Sequence, residues 1–287
     1  MLKCIQAQKI NMSEDAKTVE GTITQYPEKS LPPNSDFLHH RLNAGDKYFI
    51  GFTMFEDYYL TYSNQDQKIM ADLWHHTLTE PSLYQVYANQ LYDSSLTEGE
   101  ILFIAQVAAT IRSFNGGQIG EGIANEEQLK ALSKKRLQTY KDTDLDRTVT
   151  LSNIQGQGIV ACAEASLMAQ ALSQYAKGYH IVSADVVSRA DTESAAGHGF
   201  NFLINDEESR IIVFDIAYGV VREIDGARIL VPYVALLTVG QIERFENGQN
   251  VTIESMGERR VYRIGTPFTP EGNWKDNYLT LKSMTGN

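Results

Sequence analysis

The sequence has little cysteine, little positive charge and no long apolar run. Only Cys4 and Cys162 are present, too few for a disulfide framework, which fits a reducing compartment. The formal net charge of -11 argues against nucleic acid or an anionic membrane as the main partner, because both are bound through basic patches. No apolar run reaches the length of a membrane span, and residues 1–17 lack a cleavable signal pattern. We therefore expect a cytoplasmic protein, or one exported without a cleaved signal, as a bacterial effector would be.

Helical patterns fill residues 64–142. The strongest begins with Thr97, which is followed three residues later by Glu100 and then by the apolar run Ile101–Ile111. A threonine and a glutamate at this spacing form a capping box at a helix start. These segments predict a helical layer.

Strand patterns follow Tyr179. Several β-rich runs are separated by short segments typical of hairpin turns. These turn signals are Ile224–Ala227, Glu246–Gln249 and Met256–Glu258. They predict an antiparallel sheet in the carboxyl half.

Helices followed by strands indicate the α+β class, with a helical layer packed on an antiparallel β-sheet. With 43% hydrophobic residues the chain can build a sizeable core. We expect residues 1–150 to be a mostly helical region and residues 151–287 to carry the sheet, in one compact unit.

Cys162 stands at the junction of these two regions. The glycine-bearing loop Gln155–Gly158 precedes it, and the segment Ala163–Tyr175 is rich in strong helix formers. Cys162 is therefore predicted in the first turn of a helix. The unpaired N–H groups and the helix dipole at that place favour thiolate over thiol.

A histidine and an aspartate follow on a predicted hairpin. Two β-rich runs flank a polar, turn-forming segment: Phe200–Ile204, Asn205–Arg210 and Ile211–Phe214. If the turn is centred between Asp206 and Glu207, His198 lies directly opposite Asp215. Opposed residues on antiparallel strands have Cβ atoms roughly 4.5–5.5 Å apart. A carboxylate at Asp215 would then accept a hydrogen bond from the imidazole.

The order of Cys162, His198 and Asp215 on helix, strand and strand resembles the core of the papain-like and transglutaminase-like superfamily of thiol enzymes. The segment His198-Gly199-Phe200 is similar to the transglutaminase-like branch. The resemblance implies acyl transfer through a thioester. It makes Cys162 the nucleophile, His198 the general base and then acid, and Asp215 the group that orients the imidazole.

Two departures from that pattern leave the acyl acceptor open. Ala163-Glu164 stand where many members have a bulky aromatic residue, and Ile216-Ala217 stand in place of the proline common in transglutaminases. Water as acceptor would give a cysteine protease or a glutamine deamidase, and an amine would give a transglutaminase. We expect hydrolysis of a peptide or amide bond in a protein or peptide substrate, without metal or cofactor.

The resemblance also implies a glutamine upstream of the nucleophile as an oxyanion donor. Gln155 and Gln157 are both candidates, and Gln157 is preferred.

Other polar groups are interpreted as structural. Glu164 is expected to face solvent, and the cluster Lys134–Arg136 to form a solvated helix face. The pairs His39-His40 and His75-His76 lack further ligands at metal spacing, so no zinc site is predicted.

A non-catalytic protein-interaction module with the same fold is the alternative from another class. Most free cysteines are inert packing residues, and Cys162 would then be one of them. The aromatic segments Tyr58–Tyr62 and Tyr84–Tyr92 would form the binding face.

Overall fold

The computed structural model describes residues 47–50, 58–91, 95–117, 126–143, 148–186, 198–207, 209–247 and 249–262. Cys4 and His39-His40 lie outside these ranges. Among the helices within them, none has the length and apolar character needed to cross a membrane.

Seven α-helices occur in the described ranges. They are α1 (Asn64–Thr79), α2 (Ser82–Ala88), α3 (Glu98–Phe114), α4 (Glu126–Thr143), α5 (Leu151–Ile154), α6 (Cys162–Ala171) and α7 (Val239–Glu246). The predicted capping box begins α3: the Glu100 N–H donates to Thr97 Oγ1 at 3.2 Å, and the Thr97 N–H donates to Glu100 Oε2 at 2.7 Å. A short 3₁₀ helix, Leu172–Tyr175, continues α6.

The described strands form three sheets. A small sheet contains β1 (Lys47–Ile50), β2 (Tyr58–Thr61) and β3 (Thr148–Thr150), in which β2 and β3 are parallel. The main sheet is antiparallel in the order β4 (Tyr179–Val186), β5 (His198–Asn205), β6 (Ile211–Ile224) and β7 (Ala227–Leu236). A separate hairpin contains β8 (Val251–Ser255) and β9 (Glu258–Tyr262).

Two of the three predicted turns connect hairpins. Asp225 and Gly226 have φ of 50° and 80° between β6 and β7, and Met256 and Gly257 have φ of 55° and 77° between β8 and β9. Positive φ at both central residues is the requirement of a tight two-residue hairpin.

The third predicted turn, Glu246–Gln249, is wrong as a hairpin, because it follows the end of α7. The signal that identifies this helix is at its start. The Gln241 N–H donates to Thr238 Oγ1 at 3.3 Å, and the Thr238 N–H donates to Gln241 Oε1 at 2.9 Å.

Both faces of the main sheet are covered. One apolar cluster joins sheet residues such as Leu203 and Phe214 to helical residues such as Met168 and Ile104. The other joins the opposite face to α7 and to the β8–β9 hairpin. Helices therefore pack on an antiparallel sheet, as predicted for the α+β class, and the first cluster includes residues from both sides of position 150.

Tyr62, Tyr84 and Tyr87 do not form the exposed aromatic face that a protein-interaction module would need. Tyr62 is 4% exposed and Tyr87 is 2% exposed, and Tyr84 packs partly buried against the helical core. The side chains of Tyr58, Tyr59 and Tyr92 lie outside the description. Tyr84 and Tyr87 lie on α2, which packs on α3.

Gly219 is required where β6 passes close to β7. A Cβ at Gly219 would lie 2.1 Å from the carbonyl oxygen of Val231. We expect Gly219→Ala to lower the free energy of unfolding by about 1–3 kcal/mol, since the strands must separate to admit a methyl group. Gly240→Ala is the matched control, because a Cβ there meets nothing within 4 Å. Urea unfolding monitored by circular dichroism measures both, and equal midpoints for the two variants would contradict the packing argument.

Candidate active site

Cys162 is the first residue of α6. Ala161 is the N-cap in extended conformation. The Ala165 N–H makes the first intrahelical bond, to the Ala161 carbonyl at 2.9 Å. The N–H groups of Cys162 and Ala163 therefore precede the hydrogen-bonded ladder of the helix and point out of its amino end. The Cys162 thiol is half-buried at this positive helix end.

His198 lies at the start of β5, and its imidazole is bonded to Asp215. His198 Nε2 is 2.6 Å from Asp215 Oδ2. The carboxylate is fully buried, and the imidazole is 11% exposed. An ionised carboxylate can only accept, so Nε2 carries the proton and donates it. The other ring nitrogen, Nδ1, is left for the thiol of Cys162, with which His198 forms a hydrogen bond.

The hairpin register differs by two residues from the predicted one. Asn201 is opposite Phe214, and Ile204 is opposite Ile211. Extending this register puts Asp215 opposite Phe200, so the direct opposition of His198 and Asp215 was wrong. A shift of two residues keeps a side chain on the same face of a sheet. Histidine and aspartate therefore meet diagonally, a distance that long side chains bridge.

The strand that carries Asp215 is longer than the predicted run Ile211–Phe214, because β6 continues to Ile224. The pairing of β6 with β7 is irregular between Asp215 and Val220. In this irregular stretch the Tyr218 N–H turns back and donates to Asp215 Oδ1 at 2.8 Å. Tyr262 Oη also donates to Asp215 Oδ2, at 3.3 Å. The bulge therefore supplies a donor that a regular strand would use in the ladder.

Arg260 of β9 holds this bulge from behind. Its guanidinium donates to the carbonyl of Tyr218 and, at 2.9 Å, to the carbonyl of Gly219. It also lies 4.2 Å from the ring centroids of both Tyr218 and Tyr233. The Tyr218 ring in turn meets the His198 ring edge-on, with centroids 5.8 Å apart. The β8–β9 hairpin thus fixes the orientation of Asp215, the hydrogen-bond partner of the His198 imidazole.

Gly199 allows β5 to approach the first turn of α6. A Cβ at this position would lie 3.0 Å from Ser166 Oγ and 3.1 Å from the Cys162 carbonyl oxygen. Both distances are tight for a methyl group. The backbone N–H of Gly199 also forms a hydrogen bond to the sulfur of Cys162.

The charges at the site favour an ion pair of thiolate and imidazolium. Burial alone would raise the pKa of Cys162, but the hydrogen bond and charge of His198 bring it below the usual value of a thiol. Burial would lower the pKa of His198, yet the negative charge of Asp215 raises it to about 10. Burial would raise the pKa of Asp215, and the charge of His198 lowers it instead. Each of the three groups therefore favours the ionised form of its neighbour.

The side chain of Gln157, the preferred oxyanion donor, lies at the protein surface. The Gln157 backbone carbonyl accepts from Lys135 Nζ at 2.5 Å.

Two residues predicted to face solvent are buried. Glu164 has no exposed surface and Arg136 is 7% exposed, and the two form an ion pair beneath Cys162. The amphipathic pattern of α4 could not reveal this, since a long basic side chain looks the same in sequence whether it is solvated or paired. Arg260, Tyr218 and Tyr262 were not predicted either, because their contacts with the site depend on the irregular pairing of β6 with β7 and on the packing of β9.

Within the described ranges, no group of three or more histidine, cysteine, aspartate or glutamate side chains is arranged to hold a metal ion. His75 and His76 are both exposed on α1.

Comparisons with protein-family models, with curated proteins and with solved structures found no match.

The ion pair gives a testable pH dependence of thiol reactivity. In a Cys4→Ser background only Cys162 is left to react with iodoacetamide. We expect its alkylation to remain fast below the ordinary thiol pKa of about 8.5, because the adjacent imidazolium favours the thiolate. His198→Ala removes that positive charge, so the midpoint of the pH–rate curve should move upward.

Mass spectrometry of the Cys162 peptide between pH 4 and pH 10 measures this shift. His76→Ala is the matched control, because it removes an exposed histidine from α1. A midpoint that is the same in the parent and in His198→Ala would contradict the ion pair.

Proposed function

We propose that this protein is a thiol-dependent acyl-transfer enzyme that cleaves a peptide or amide bond. The observation that carries the proposal is the hydrogen-bonded series of Cys162, His198 and Asp215. The His198 imidazole forms one hydrogen bond with the Cys162 thiol and another with the buried Asp215 carboxylate. A thiol, its base and a group that orients the base are the parts of an activated nucleophile. The order of Cys162, His198 and Asp215 in the sequence resembles that of papain-like and transglutaminase-like enzymes, which supports the same reaction class.

In the first half of the proposed reaction, the thiolate of Cys162 attacks the carbonyl carbon of the scissile bond. The carbonyl π electrons move to oxygen, and the N–H groups of Cys162 and Ala163 at the helix start stabilise the resulting oxyanion. The imidazolium of His198 donates its Nδ1 proton to the leaving amine. Collapse of the oxyanion expels the amine and leaves a thioester on Cys162.

In the second half, neutral His198 accepts a proton from the acyl acceptor as it attacks the thioester. Water as acceptor releases a carboxylic acid, and a primary amine releases a new amide. The departing sulfur leaves as thiolate, so the starting ion pair with protonated His198 is restored. Asp215 stays ionised throughout and keeps Nδ1 of the imidazole directed at the sulfur.

The products of the reaction show whether the acyl acceptor is water or an amine, and whether the bond cleaved is a peptide bond or a side-chain amide. A proteome-derived peptide mixture is incubated with the parent chain and with Cys162→Ala. New amino termini indicate proteolysis, a gain of roughly one dalton on glutamine indicates deamidation, and cross-linked peptides indicate transglutamination. We expect hydrolysis products from the parent and none above background from Cys162→Ala, because the thioester cannot form without sulfur.

His198→Ala should lower turnover about 10²–10⁴-fold, the usual contribution of general acid–base catalysis. His76→Ala should leave it unchanged. If the parent gives none of the three products above the Cys162→Ala background, the proposal is wrong and a non-catalytic interaction module is favoured.

A further inference from the structure

A buried ionic cluster lies beneath the amino end of α6. Glu164 Oε1 accepts from Arg136 Nε at 2.9 Å, from Arg136 Nη2 and from Tyr140 Oη. Glu164 and Tyr140 have no exposed surface, and Arg136 is 7% exposed. Arg136 and Tyr140 both belong to α4, so this cluster ties α4 to the helix that begins at Cys162.

The second carboxylate oxygen of Glu164 reaches the residue next to the nucleophile. Glu164 Oε2 accepts from the Ala161 N–H at 3.0 Å. Ala161 has no side-chain oxygen, so it cannot cap the helix as serine or threonine would. Glu164 therefore fixes the backbone on the amino side of Cys162, and α4 fixes Glu164.

This arrangement places a negative charge in the same helical turn as the proposed thiolate. Two like charges at such a site disfavour each other's ionised form. Arg136 supplies the compensating positive charge, and that charge acts on Cys162 itself by lowering the pKa of its thiol. A buried ion pair contributes little net stability compared with an apolar pair of similar volume. The position of this ion pair beside Cys162 therefore points to a role at the thiol, in addition to any contribution to stability.

We propose that Arg136 is a positioning residue for Cys162: through Glu164 it holds the amino end of α6, and its charge offsets that of Glu164 beside the thiolate. The inference rests on the proposed function, in which Cys162 is the nucleophile. Through Arg136, α4 of the mostly helical region then contributes a residue to the site.

The ionisable groups linked to the thiol, either directly or through their contacts with His198, Asp215 and Glu164, come from α4, α6, β5, β6 and β9. They are Glu164 on α6, Arg136 and Tyr140 on α4, His198 on β5, Asp215 and Tyr218 on β6, and Arg260 and Tyr262 on β9. Arg136 and His198 are the cations that act directly on the sulfur.

The test compares two substitutions with opposite effects on charge, in the Cys4→Ser background. Arg136→Met leaves the Glu164 charge uncompensated, so the midpoint of the pH–rate curve for alkylation of Cys162 by iodoacetamide should move upward by about one unit, which slows alkylation by about tenfold at a pH well below the parent midpoint. Glu164→Gln keeps an acceptor for the Ala161 N–H but removes the negative charge, so the midpoint should move downward. The double variant should return close to the parent.

Lys134→Met is the matched control, since it removes an exposed positive charge from α4 and should leave the midpoint unchanged. Near-ultraviolet circular dichroism verifies that each variant is folded. If Arg136→Met does not fold, Glu164→Gln and the double variant still carry the test. A merely structural role predicts shifts in the same direction for both single variants, and that result, or no shift in either, would overturn the inference.

The two proposals fail in distinguishable ways. Peptide turnover that is lost in Cys162→Ala, together with unshifted midpoints in the Arg136 and Glu164 variants, overturns only the role of Arg136. Opposite midpoint shifts without any turnover by the parent support the charge balance at the thiol and overturn the proposed enzymatic function.

Discussion

The hydrogen bond between Asp215 and His198 is the interaction on which the candidate site depends. A carboxylate without exposed surface is costly unless it is paired, and Asp215 receives donors from the imidazole, from the Tyr218 N–H and from Tyr262. These bonds keep it ionised in the interior. A fixed negative charge at that place then favours protonated His198, and protonated His198 favours the thiolate of Cys162.

Two buried arginines from distant parts of the chain act on the two ends of this series. Arg260 of β9 holds the bulge that presents the Tyr218 N–H to the carboxylate. Arg136 of α4 holds the turn that presents the sulfur. The site is thus assembled by elements on both faces of the main sheet, and the elements that cover each face contribute a residue that contacts it. Neither the helical region nor the terminal hairpin is only a support for the core.

The sequence predicted the elements of the site better than their contacts. The helix beginning at Cys162 follows from the glycine-bearing loop before it and the helix formers after it, and the hairpin carrying His198 and Asp215 follows from the alternation of polar turn and β-rich runs. The register was wrong because every residue of Asn205–Arg210 suits a turn, so composition alone does not fix its centre. The buried charges of Glu164 and Arg136 could not be predicted, since burial of a charge depends on a partner that only the folded chain supplies.

The central claim is that His198 is a stable imidazolium held between carboxylate and thiolate. Chains labelled with ¹⁵N-histidine, titrated from pH 5 to pH 11 by NMR, test it most directly, with the His198 signal assigned by its loss in His198→Gln. The account predicts that this ring stays protonated at neutral pH and titrates near its raised pKa of about 10, and that Cys162→Ser lowers that pKa. An imidazole that titrates near 6.5, unchanged by the loss of the sulfur, would contradict the account.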